Sequence, residues 1–271
     1  MRRLPISGWI GLIIVALTIA TALVSLLWTP YDPLHAVPAD RLLGAGPQHL
    51  LGTDRFGRDV LSRIMSGARI TLLVGVVAVS ISAVVGVAVG IWAGMQRGWV
   101  ESITMRGADL MLAFPALLLA IILGAAFGTS TVTAMVAIGI AGIPSFARVA
   151  RAGTLQVMTQ DYVASARVSQ VPGLRIATRH ILPNIAGMLV VQASVAFALA
   201  ILAEAALSFL GLGTSPPDAS WGRMLQSAQA SLGSAPQLAL WPGLAIALSV
   251  LGFNLLGDGL RDVLDPKRSS K

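Results

Sequence analysis

Few residues in this sequence are of the types that carry chemistry, and their spacing narrows the choice further. Glu204 stands alone among the ionisable side chains deep inside an apolar run. A charge there costs roughly 2.5–3.5 kcal/mol on insertion scales, so the carboxyl needs a partner, water or a proton. A proton relay would require several such groups, whereas an interhelical hydrogen bond or a structural role facing a pathway requires one. His35, His49 and His180 are too widely separated to make a recognisable metal motif. There is no H-E-x-x-H pair and no convincing serine-histidine-acid set, which leaves an intramembrane hydrolase weakly supported. The absence of cysteine excludes thiolate metal sites, disulfides and cysteine nucleophiles. Of the nineteen basic residues, the lysines are Lys267 and Lys271 alone, so no internal G-x-x-x-x-G-K-[ST] loop can hold a nucleotide phosphate. The chain is expected to carry no catalytic residue, no metal and no cofactor of its own.

The elements that must position these residues are membrane helices. Charged residues make up 11% of the 271, against roughly 25% in an ordinary soluble domain, and 55% are hydrophobic. A crossing needs about 20 mostly apolar residues. The first such run centres on Trp9 to Trp28, with a tryptophan at each end where interfacial belts form. It continues well past Ala20-Thr21-Ala22, which favours a span over a cleaved leader. The second run, Ile70 to Gln96, is rich in valine, glycine and serine suited to close packing. The third, Leu110 to Ala147, is too long for one helix, and Gly128-Thr129-Ser130-Thr131 predicts a tight turn dividing it into two spans. Ile181 to Ala203 and Leu238 to Leu256 complete a count of six. With both termini inside, thirteen of the nineteen basic residues fall on inside segments, as the positive-inside rule requires. That orientation accounts for the net charge of +7 better than nucleic acid does, because the arginines are dispersed rather than gathered on one aromatic-bearing face.

The inside segment 151–184 is too polar to span and too patterned for a linker. Leu155, Met158, Tyr162 and Ala166 recur at helical spacing and predict one short helix with a single apolar stripe. Pro172-Gly173 breaks it. A second short helix would place Leu174, Ala177 and Ile181 on one side and Arg175 and Arg179 on another. Pro183 is expected to end that helix and Asn184 to cap the following span. Physics alone leaves two readings open: helices resting on the lipid surface, or a docking element moved by a partner protein.

The order of residues here resembles a known family. Asp161-Tyr162-Val163-Ala164-Ser165-Ala166-Arg167, followed by Arg179-His180-Ile181-Leu182-Pro183-Asn184, is similar to the cytoplasmic EAA loop of ABC importer permeases. His49-Leu50-Leu51-Gly52-Thr53-Asp54-Arg55-Phe56-Gly57-Arg58-Asp59 resembles the loop after the first helix in the dipeptide, oligopeptide and nickel permeases. So do Glu204 to Gly213, Ser220-Trp221-Gly222, and the tail from Asn254 to Pro266, which together point to the C-type subunit. The family usually has glutamate where this chain has Ala164, and glycine where it has Gln170. Loss of that glycine removes the residue best suited to a left-handed turn, and Pro172-Gly173 is expected to supply the turn instead.

The resemblance implies an all-α type I importer permease, N-in and C-in, with a first unit at 1–69 and a permease core at 70–271. It implies a second, homologous permease subunit, two cytoplasmic ATPase domains that bind ATP and Mg, an extracytoplasmic substrate-binding protein, and no nucleic acid. ATPase coupling is assigned to Asp161 through Arg167 and to Val168, Ser169, Gln170, Val171 and Pro172, with support from Arg148, Arg151, Arg179, His180, Pro183 and Asn184. Asp54, Arg58, Asp59 and Trp221 are candidate contacts for the binding protein. Short peptides are the first expectation for cargo and nickel complexes the second. A gradient-driven transporter acting alone is the alternative of a different class.

Overall fold

The computed structural model describes residues 4–264. Within them the chain is almost wholly helical. The sequence-predicted tail residues Asp265 and Pro266 and the terminal basic residues lie outside the described range.

Helix α1 (Ile6–Leu27) is followed by an irregular extracytoplasmic segment and then by α2 (Val60–Gln96), which starts ten residues before the apolar run does. The polar start is held by Asp59, whose side chain accepts from the Ser62 amide as an N-cap. Helices α3 (Gly98–Ala113) and α4 (Ala116–Phe127) follow, then α5 (Thr131–Val157). The expected turn is present at Gly128 to Ser130, with the Ser130 hydroxyl capping α5 through the Thr133 amide. The first half of that pair is not one straight span. Phe114-Pro115 bends α3 from α4 by 83°, because proline lacks an amide hydrogen and holds the preceding residue out of the helical region. The 12 residues of α4 reach only about 18 Å, well short of a ~30 Å hydrocarbon core. Among the described residues five helices are long and apolar enough to cross a membrane, and the bent α3–α4 pair stands where the sequence predicts one further straight span.

Short helices α6 (Asp161–Val168) and α7 (Gly173–Ile176) lie on the inside. Helix α7 runs on through a five-residue π-helical stretch, Ala177–Ile181, into α8 (Leu182–Phe209). On the outside, α9 (Trp221–Ala228) precedes α10 (Gln237–Leu264).

Lipid supplies no hydrophobic force between helices, so close approach of small residues must hold them. Helix α1 crosses α10 through glycines: a Cβ on Gly11 would lie 2.4 Å from the Leu256 nitrogen. The central α2–α5 pair does the same along Gly86, Gly90 and Gly94, where a Cβ on Gly90 would stand 2.3 Å from the Ala147 carbonyl oxygen.

Candidate functional site

On the cytoplasmic side, α5 continues ten residues beyond Ala147 before the chain turns at Met158 to Gln160. The expected single stripe is therefore split between two helices: Leu155 belongs to α5, Tyr162 is 44% exposed, and the residue that seats α6 is Val163, fully buried. Val163 inserts into a cluster from four elements, with Ile91 of α2, Val157 of α5, Ile176 and Ile181 of the α7 segment, and Ile185 of α8. Asp161, Ala164, Ser165, Arg167, Val168 and Ser169 face outward, Val168 at 85% exposure. A helix fixed by one buried face and presenting an otherwise bare opposite face is a rigid lever without a visible load.

The C-terminus of α6 is a Schellman motif. The Val171 amide donates to the Ala166 carbonyl at 3.0 Å, the Gln170 amide donates to the Arg167 carbonyl at 3.0 Å, and Val171 packs with Ala166 in the cluster beneath. Gln170 itself takes the left-handed conformation, with φ +55. Gly173 has no positive φ, so Pro172-Gly173 does not replace the glycine that Gln170 displaces; Pro172 instead starts α7.

Pro183 does not end its helix and Asn184 does not cap the next. The chain runs unbroken from Gly173 to Phe209, and the Asn184 amide side chain donates to the His180 carbonyl at 2.6 Å, back along the same helix. The widened π turn just before Pro183 gives its ring room where a regular helix would press it against the carbonyl of Arg179. The His180 ring lies 6.0 Å from the Tyr162 ring, bringing the two short helices together. Arg148 and Arg151 act one level up: Arg151 binds Glu101 with its Nε at 2.6 Å, and Arg148 binds Asp109, tying α5 to α3. Nothing local in the sequence points Asp109 to a partner 39 residues away.

The extracytoplasmic segment is organised from within. Asp59 is 3% exposed: one carboxylate oxygen receives the Ser62 amide and hydroxyl, and the other lies 2.9 Å from His49 Nδ1. Trp221, also 3% exposed, donates its indole N–H to the Ile64 carbonyl at 3.0 Å and so pins α9 to α2. Both residues, expected as contacts for the binding protein, are buried in this chain and hold its scaffold. Asp54 and Arg58 bind each other at 2.8 Å near the surface, and Arg63 donates to the Pro33 carbonyl at 3.0 Å.

Glu204 is 1% exposed, with no cation in reach among the described residues. Its partners are hydroxyls. Ser208 donates at 2.7 Å, and Thr71 of α2 and Thr214 of the outer loop lie at 3.5 Å. Ser208 also accepts from the Thr214 amide at 3.0 Å, and Ser220 accepts from the Arg223 amide at 3.2 Å. Ser208 thus accepts through one lone pair and gives its hydrogen to the carboxyl. One glutamate thereby binds α8, α2 and the loop leading into α9.

The arrangement of a helical membrane core, a projecting inside lever and a braced outside segment defines a membrane transport component. Its fold is similar to that of a chain in the solved structure of the MetNI methionine ABC transporter in inward-facing conformations, with a TM-score of 0.61 over 74% of this chain and 96% of that one at 16% identity. Residues 86–270 match the model of the family described as the inner membrane component of binding-protein-dependent transport systems. The chain belongs to that family and is a multi-pass protein of the inner membrane. It is 42% identical over 261 residues to the dipeptide transport system permease protein DppC of Alkalihalophilus pseudofirmus, covering 96% of this chain and 86% of the relative. It is 44% identical over 257 residues to the glutathione transport system permease protein GsiD of Pectobacterium atrosepticum, covering 94% and 85%. The di/tripeptide transport system permease protein DppC of Pseudomonas aeruginosa is 42% identical over 263 residues, covering 95% and 87%.

Proposed function

We propose that this chain is one permease subunit of an ATP-driven importer for short peptides. It pairs with a second, homologous but distinct permease around one pathway. The observation that carries the reading is the lever: α6 is seated through Val163 on helices α2, α5 and α8 while its opposite face is bare, the geometry needed to pass a push from outside the membrane domain into the core. The partner that supplies the push is a pair of cytoplasmic ATPase domains holding ATP and Mg. An extracytoplasmic binding protein delivers the cargo. Short peptides are favoured because relatives matching along nearly the whole chain are named for dipeptides, di/tripeptides and glutathione. Nucleotide shifts the membrane domain only through contacts that differ between the two ATPase states, and the exposed residues from Asp161 to Pro172 are where those contacts fall.

The test is uptake of labelled di- and tripeptides by the assembled complex. Uptake that stops when the partner ATPases lose hydrolysis supports the reading, together with cross-links from cysteines at Ala164 and Val168 to an ATPase. Uptake that persists on an ion gradient alone contradicts it.

A further inference from the structure

Outside the membrane, a pocket of about 390 Å³ opens between the segment around Arg55 and the loop around Pro217. Four arginines line it, namely Arg55, Arg58, Arg63 and Arg223. Asp54 neutralises Arg58 at 2.8 Å and reaches Arg63 at 3.7 Å. Arg55 lies over the Phe56 ring, 4.7 Å from its centroid, and the Arg223 side chain donates to the Gln226 amide oxygen. Neither has a carboxylate partner among the described residues, and Asp218 is the one acid in the lining. The pocket therefore carries a net positive charge and two guanidinium groups free to make charge-assisted hydrogen bonds.

Its walls are rigid. Gly57 has φ +77 and sits so tightly under Val37 that a Cβ would lie 1.8 Å from the Val37 carbonyl oxygen. The buried Asp59–His49 contact braces one side from within, and the Trp221–Ile64 hydrogen bond holds the other side against it. The rim is apolar and exposed, with Leu34 at 47% and Phe56 at 45%. A preorganised cationic floor inside an apolar rim suits a carboxylate carried on a protein surface, since little ordering is needed on binding. Lipid headgroups fit less well. Helix α2 begins at Val60, ten residues or about 15 Å of helix ahead of its apolar run, so the pocket lies at the polar outer end of that helix and not along its apolar length.

We infer that this pocket receives an acidic side chain of the extracytoplasmic substrate-binding protein, with Arg55 and Arg223 as its ligands. The inference rests on the importer reading above and adds the place and chemistry of docking. Charge pairs at such a rim set encounter rate and salt dependence as well as affinity.

The experiment uses the full complex in nanodiscs, with ATPase stimulation titrated against the loaded binding protein. Arg55→Glu combined with Arg223→Glu raises the half-maximal binding-protein concentration roughly tenfold or more, while Arg55→Lys with Arg223→Lys stays within about threefold. Raising salt from about 50 to about 300 mM weakens the wild-type response severalfold and the double-glutamate variant far less. Co-purification of the variant with its partner subunits establishes that it has assembled. Arginine replacement of one acidic residue on the binding protein restores the response of the glutamate variant. An unchanged half-maximal concentration in the glutamate variant overturns the inference. So does a defect seen only in discs containing anionic lipid, which assigns the pocket to headgroups. A defect that disappears with carboxyl-amidated peptide overturns it in favour of the peptide's own carboxylate. A wild-type complex indifferent to every binding protein refutes the importer reading itself, whereas stimulation equal in wild type and variant refutes the pocket alone.

Discussion

Gln170 occupies a backbone position built for glycine, and replacing it tests how firmly the lever is fastened. At φ +55 a residue with a Cβ carries roughly 1–2 kcal/mol of left-handed strain. Glycine removes that strain but gains about 0.5–1 kcal/mol of unfolded-chain freedom. The difference leaves Gln170→Gly favoured by about 0.5–1 kcal/mol. The hydrogen bonds that close the motif, from the Gln170 and Val171 amides, report it directly. Hydrogen exchange at these two amides, corrected for intrinsic rates, is expected to slow by about two- to fivefold in Gln170→Gly. Gln170→Val, β-branched at a left-handed position, is expected to speed it by at least as much. Equal protection in all three proteins would refute the reasoning, as would faster exchange in the glycine variant, because either result means that Gln170 is not strained in the resting lever.

Glu204→Gln keeps an acceptor for the surrounding hydroxyls and is expected to retain transport, whereas Glu204→Leu leaves Thr71, Ser208 and Thr214 without one at a cost of about 1–3 kcal/mol and lowers the yield of assembled complex. Complete loss of transport by an assembled Glu204→Gln complex would point to a proton relay. A double-mutant cycle of Glu101→Ala and Arg151→Ala, read by thermal unfolding in detergent, is expected to give a coupling of about 0.5–1 kcal/mol, and additivity would remove the α3–α5 tie from the account. Gly90→Val forces a side chain into the Ala147 carbonyl, and the α2–α5 pair is expected to separate, with loss of folded protein on fluorescence-detected size exclusion; a normal elution profile would show that the helices can shift apart.

The membrane character of the chain follows from local quantities, because apolar run length against bilayer thickness is a property of sequence alone. The same holds for the division at Gly128, for the orientation carried by the arginines, and for family membership through contiguous motifs. Conformation at single positions was partly readable. That a left-handed turn was needed near Gln170 followed from the family resemblance, but which residue would take it depended on where α6 ended, and Val163 decided that by seating in a cluster drawn from four elements.

Elsewhere local signals pointed the wrong way because they are averages over contexts. Pro183 ordinarily stops a helix, yet a π turn upstream absorbed its ring, so the span continues. Asp59 and Trp221 are polar or amphipathic residues in an outside segment, and such residues ordinarily face solvent. Here they are buried because His49, Ser62 and Ile64 offer them hydrogen bonds that water would otherwise provide. Sequence by itself determined that this is a multi-span inner-membrane transport component with a polar inside loop and one carboxyl deep in an apolar run. Tertiary structure alone decided which ionic groups find partners. Asp109 reaches Arg148, Glu101 reaches Arg151, Glu204 gathers hydroxyls from three segments, and Arg55 and Arg223 line the outer pocket with no carboxylate partner among the described residues. The physical reason is range. Helix formation and membrane insertion depend on neighbours within a few turns, whereas the pairing of a charge depends on which distant helix the packing brings beside it.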